Sequence, residues 1–331
     1  MRLRTELEPI LSNFELQPKS KIVTIGSCFS DHIGQLLQDN KIDCIKNPMG
    51  TIYNPLSIFA AIQAGIESRE PHSELFVNKG TIWHHFNFHS SFWSESKSDL
   101  ITQIQQAKFE LKNAISNANV LVITFGTSYV YRHKETQEYI ANCHKVPASS
   151  FEKILLSDLE IISSFSNVYQ KLIQLNPSLH ILLTISPVRH TKDTLTFNAL
   201  SKSILRVVSH RLQESYKNVS YFPVLEIMQD DLRDYRFYEK DLIHPNQQAI
   251  EYIYERFRTA YFSESLQKLH DEWQKIKLAL QHKPFYTGTI SHLHFLENLV
   301  KKLGQINEKI DVTTEIKNVE SQLEEIRRKL D

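Results

Sequence analysis

The stretch IVTIGSCFSDHIGQLL, Ile22 to Leu37, begins with four residues of buried-strand character and turns at Gly26-Ser27-Cys28. It goes on with Ile33, Leu36 and Leu37 on one face of a helix that Ser30 or Asp31 is placed to cap. A strand turning directly into a helix delivers Ser27 and Cys28 to the helix N-terminus. There the unpaired N–H groups and the positive end of the dipole stabilise an anion. Such a place lowers a thiol pKa and supplies donors to an oxyanion, so either side chain is a candidate nucleophile. In the plainer alternative Ser27 caps the helix and Cys28 packs as a small hydrophobe.

Working outward, similar apolar runs recur at Val120 to Phe125, Ile181 to Ile185 and Val219 to Phe222, with a weaker one near Asp43 to Lys46. Between them Leu100, Ile104, Ala107, Leu111 and Ile115, and later Ile204, Val208 and Leu212, repeat at helical spacing. Strand alternating with helix predicts an α/β fold with a mainly parallel sheet, covered on both faces and wound with right-handed crossovers. Ligands of such sheets sit at the carboxyl ends of the strands, so the residues just after each strand matter most.

Two aromatic, histidine-rich stretches interrupt the alternation: WHHFNFHSSF (83–92) and YVYRHKETQEYIANCH (129–144). The second predicts a β-hairpin turning at Lys134 to Gln137. After about Tyr261 the chain reads as helical, and Val312, Ile316, Val319, Leu323, Ile326 and Leu330 form a short heptad seam. That seam suits docking on the same chain or a homo-oligomer through the C-terminal helix. We divide the chain into a catalytic domain, 1–262, and a helical extension with a coiled-coil-like tail, 263–331.

Lys plus Arg equals Asp plus Glu at 38 each, so no global field draws the chain to nucleic acid or an anionic membrane. Cys28, Cys44 and Cys143 form no CxxC pair, which argues against a disulfide framework or a cysteine zinc site. No signal peptide or membrane-spanning run is expected, and a cytoplasmic location follows.

The stretch EKDLIHPNQQAIEYIYERF (239–257) places Asp241 and His244 in a turn before a helix, with Pro245 at its expected first position. Three residues apart, the carboxylate can accept the imidazole Nδ1–H and leave Nε2 as a base, the base-and-orienter half of a nucleophilic triad. After the third strand, VITFGTSYVY offers Gly126 for close backbone approach and Thr127 or Ser128 as donors. After the second, KNPMGTIYNPLSI offers the N–H of Gly50. The histidines His84, His85 and His89 are not a metal set, and the chemistry calls for no cofactor or metal.

These post-strand segments, in this order, resemble the SGNH hydrolase superfamily, and within it the GSCFA family. The carriers are GSCF (26–29), NPMGTIYNPLSI (47–58), FHSSF (88–92), FGTSYVY (125–131), NCHKVP (142–147), SPVRH (186–190) and DLIHP (241–245). The resemblance implies a flavodoxin-like three-layer sandwich and an acyl-ester hydrolase or O-acyltransferase acting on an acylated small molecule or carbohydrate. Laid on the superfamily's motifs, Cys28 takes the nucleophile position, with Ser27 the alternative, beside His244 and Asp241. Ser128 takes the place of the oxyanion asparagine. Gly50, Gly126, Asn142, His144 and His89 complete the expected oxyanion and substrate contacts. The competing reading is a non-catalytic module that binds a glycan or acylated ligand and is tethered by its C-terminal helix.

Overall fold

The computed structural model describes residues 5–10 and 12–330, the side chain of Leu330 excepted. Its first half contains β1 (Ile22–Gly26), α1 (Cys28–Asp39), β2 (Cys44–Lys46), α2 (Pro55–Glu67), β3 (Phe76–Lys79), β4 (Ile82–His85) and α3 (Lys97–Asn117). Then come β5 (Val120–Phe125), β6 (Tyr129–His133), β7 (Tyr139–Ile140), β8 (Phe151–Leu155), α4 (Asp158–Leu175), β9 (His180–Ile185) and α5 (Thr194–Ser215). The chain closes with β10 (Val219–Phe222), a one-turn α6 (Val224–Glu226), α7 (Gln247–Tyr261), α8 (Glu264–Gln281), α9 (Ile290–Ile306) and α10 (Thr313–Leu330).

The five apolar runs are the five strands of one parallel sheet, in spatial order β10-β9-β5-β1-β2. This is the flavodoxin-like order, and it reverses between β1 and β5, where a crevice opens at the carboxyl ends. Alternation along the strands sends Ile22, Val120, Val122, Leu182 and Phe222 to one face, under α1 and α7. Val23, Ile25, Leu121, Ile123 and Leu183 go to the other, against helices α2 to α5. Both faces are apolar because both are covered, which is why the strands read as continuous apolar runs.

Gly26 is dictated by this packing. Its φ is +136°, and a Cβ there would stand 2.1 Å from the Thr124 carbonyl oxygen of β5. The Ser27 N–H then donates to that same oxygen at 3.0 Å. Helix α1 starts earlier than expected, with Ser27 at the N-cap. Helix α7 starts later: Asn246 caps it through the Ala249 N–H, leaving Pro245 in the preceding turn.

The expected hairpin forms between β6 and β7, with Tyr131 opposite Ile140. A third strand, β8, joins β6 on its other side. The C-terminal helices share an apolar cluster with α1 and α7. Val312, Val319, Leu323 and Ile326 of the heptad seam are buried inside the chain, where α10 packs on α9; the Leu330 side chain lies outside the described residues. Among the described residues no helix is long and apolar enough to cross a membrane.

Candidate active site

At the β1/β5 switch point a cavity of about 550 Å³ opens between the strand ends and the loops. Cys28 and His244 both line it, with Tyr53, Asn54, Thr127, Asn142, Cys143, Arg189 and His190 among its other walls. A second cavity of about 540 Å³, between α2 and the β3–β4 hairpin, contains none of the candidate catalytic residues.

Ser27 and Cys28 diverge at the start of α1. The Ser27 side chain is buried and its Oγ has no hydrogen-bond partner, whereas the partly exposed Cys28 faces the cavity. Burial pushes the Cys28 thiol up, and Asp31 adds to it; the backbone N–H groups of Cys28 and Phe29 and the charge of Lys202 pull it back down.

Asp241 and His244 form the pair expected from their spacing. Oδ2 of Asp241 accepts from His244 Nδ1 at 2.7 Å, and Oδ1 accepts the backbone N–H groups of Ile243 (2.8 Å) and His244 (3.0 Å). These bonds hold the Asp241 carboxyl down to about 2, the hydrogen bond from His244 contributing most. Leu242 takes φ +58° to close the turn, a conformation costing about 1 kcal/mol in a non-glycine residue. The Arg189 N–H donates to Ile243 O at 3.3 Å, tying the turn to the loop after β9. The Cys28 thiol and His244 share the cavity without a hydrogen bond between them.

The other expected contacts separate into those that reach the cavity and those that do not. Asn142 lines it; its Oδ1 accepts from the His144 N–H at 2.9 Å, which orients the amide and leaves Nδ2 as a donor. Ser128 does not: it is fully buried and both its N–H and its Oγ bond Ser201 Oγ; Thr127, whose hydroxyl also bonds Ser201 Oγ at 3.0 Å, lines the cavity at the β5 end instead. The Gly50 N–H is committed to a turn with Asn47 O at 2.7 Å, and Gly50 packs against His89. The Gly126 N–H donates to Tyr53 O at 2.7 Å, and a Cβ there would stand 3.0 Å from that oxygen. His144 turns inward, stacked on His84 with Nε2 on His85 O at 2.9 Å, and His89 bonds Ser91 Oγ at 3.0 Å; neither lines the cavity.

Two cavity groups were quoted within motifs but given no role from sequence. Burial holds His190 down to about 4, helped by nearby Lys202, so its ring is neutral at pH 7. Burial also pushes the Tyr53 phenol up, with Cys28 and Asp31 adding to the shift. Lys202, on α5, lies outside every motif of the sequence. It is 3% exposed, with Nζ donating to Gly126 O (2.6 Å) and Ser186 O (2.7 Å). The available signal was a lysine three residues before Leu205, in phase with the buried face of its helix.

A family model described as the GSCFA family matches residues 21–257, and one described as the C-terminal domain of GSCFA domain proteins matches residues 273–325. No curated protein matches the chain. Three solved structures are similar at low identity. A Streptococcus pneumonia protein provisionally described as a platelet activating factor has 10% identity and TM-score 0.37, covering 72% of this chain and 83% of its own. A family two carbohydrate esterase from Clostridium thermocellum, in complex with cellohexaose, has 12% identity and TM-score 0.31, over 82% and 68%. The acetyl xylan esterase Est2A of Butyrivibrio proteoclasticus has 9% identity and TM-score 0.36, over 81% and 66%.

Proposed function

The chain belongs to the GSCFA family, and from that premise we propose that it is an acyl-ester hydrolase or O-acyltransferase working through Cys28, His244 and Asp241. The observation that carries the proposal is that Cys28, at a helix N-terminus, and His244, held by Asp241 at 2.7 Å, wall one cavity at the topological switch point. In the reaction Cys28 Sγ attacks the acyl carbonyl carbon as His244 Nε2 takes the thiol proton, and Asp241 steadies the imidazolium. The Cys28 N–H and Asn142 Nδ2 are the proposed donors to the oxyanion. Collapse breaks the acyl C–O bond, His244 returns the proton to the leaving oxygen, and the acyl group is left as a Cys28 thioester. Water or a sugar hydroxyl, deprotonated by His244, then releases it. The polar, tyrosine-rich walls Tyr53, Tyr129 and Tyr131 suit a carbohydrate ester, and a cytoplasmic setting suits an uncrosslinked nucleophilic thiol.

A panel of activated acyl esters and acetylated sugars, run on wild type, Cys28→Ala and His244→Ala, tests this. Turnover lost in both variants, with an acylated Cys28 peptide trapped in wild type, is the expected result. Undiminished turnover in His244→Ala would sink the mechanism. The absence of a Cys28–His244 hydrogen bond favours one other reading, a site that binds an acylated glycan without turning it over. That reading expects ligand binding by calorimetry with no turnover on the same panel.

A further inference from the structure

A lysine with its ammonium removed from water costs several kcal/mol unless something compensates it. Lys202 has two carbonyl acceptors, Gly126 O after β5 and Ser186 O after β9, and no carboxylate pairs with it among the described residues. Its third N–H is left over, and the ionisable group whose charge acts on it is the Cys28 thiol; the influence runs both ways. The two side chains come from helices on opposite faces of the sheet, α1 and α5: Cys28 follows β1 directly, and Lys202 Nζ is held by the carbonyls that follow β5 and β9.

Building on the proposed chemistry, we infer that Lys202 is a positioning residue whose buried ammonium is the counter-ion of the Cys28 thiolate. When the S–H bond breaks, the proton goes to His244 Nε2; Lys202 keeps its three protons and its charge stabilises the sulfur anion. Burial draws Lys202 down to about 7, so the counter-charge is present on the acid side of neutrality and fades above it. The other groups acting here are Asp31 on α1, which opposes the thiolate, Tyr53 before α2, His190 after β9 and His244 across the cavity.

The test is the rate of iodoacetamide labelling on the full chain between pH 5.5 and 10, read by mass spectrometry at the Cys28 peptide, with the Cys143 peptide as internal control. In wild type the Cys28 rate rises with pH, levels off once Lys202 has lost its proton, and rises again, because over the plateau each gain in thiolate is offset by the lost counter-charge. Lys202→Gln abolishes the plateau and slows Cys28 labelling at pH 6.5 about tenfold. Lys202→Arg, which keeps the charge, restores the rate. A single-step wild-type profile, or Lys202→Gln labelling like wild type, would overturn the inference. Should both Lys202 variants fail to fold, the profile of His244→Ala keeps the test, because a plateau that survives there comes from Lys202 and one that disappears overturns the inference. No substrate enters these measurements, so they separate failure of this inference from failure of the hydrolase reading.

Discussion

Lowering the pH should unfasten one wall of the cavity, with buried His85 a main contributor. His85 is 1% exposed and held as a neutral ring: Nε2 donates to His72 O at 3.2 Å and Nδ1 accepts the Asn87 N–H at 3.2 Å. Protonating Nδ1 would set one donor against another in a buried site, and burial holds this imidazole down to about 3. The unfolded chain takes up that proton at about 6.5, so between pH 6.5 and 3 the unfolded state binds more protons and stability falls as pH falls. At pH 5 the loss is about 2 kcal/mol from His85 alone, taking about 1.36 kcal/mol per unit. The adjoining backbone carries the cavity wall: His85 O accepts His144 Nε2–H, and Phe86 O accepts the N–H groups of Ala141 (3.0 Å) and Asn142 (2.9 Å). Activity should therefore decline in the same window. Urea unfolding at pH 7.5, 6 and 5, on wild type and His85→Asn, isolates the term. Wild type should lose about 2 kcal/mol more than the variant between pH 7.5 and 5; parallel pH curves would refute the reasoning.

Four further outcomes are expected. Gly26→Ala should destabilise by about 3 kcal/mol or more, from its φ and the clash with Thr124 O, and a melting temperature within a degree of wild type would contradict that account. Ser27→Ala should leave ester turnover within about threefold of wild type and stability equal or higher, since its buried hydroxyl has no partner to lose; loss of turnover would return the nucleophile role to Ser27. Asp241→Asn should cut kcat about a hundredfold or more with KM little changed, because an amide that donates to Nδ1 imposes the wrong tautomer on His244. Asn142→Ala should lower kcat about a hundredfold if Nδ2 reaches the oxyanion, and an effect on KM alone would assign it to substrate binding instead.

The sheet was legible because its strands are buried on both faces and leave unbroken apolar runs; β8 was not, because FEKIL mixes charge into a strand that is half exposed. The Asp241–His244 pair was legible because a turn of fixed length sets its geometry locally. Side-chain direction at the other positions depends on what the chain meets across the sheet. Ser128 and Thr127 are neighbours whose hydroxyls both bond Ser201 Oγ of α5, yet only Ser128, which gives its N–H to that oxygen as well, is fully buried. His144 and His89 are consumed by His85 O and Ser91, long-range and local contacts that residue type does not reveal. Lys202 was hidden because its acceptors are carbonyls, which any residue supplies.

The far end of α1 is finished by residues that come more than two hundred positions later. Trp273 Nε1 donates to Asp39 O at 3.0 Å, Gln274 reaches Asn40, and Lys41 lies 5.4 Å from the Trp273 ring centroid while pairing with Glu315 at 2.7 Å. The helix that presents the thiol therefore gains its last restraints after most of the chain has left the ribosome. Contacts of such sequence separation are closed late and slowly. On this account the nascent chain carries an incompletely braced α1 until α8 docks, so competence for the proposed ester turnover should trail formation of the parallel sheet in refolding time courses.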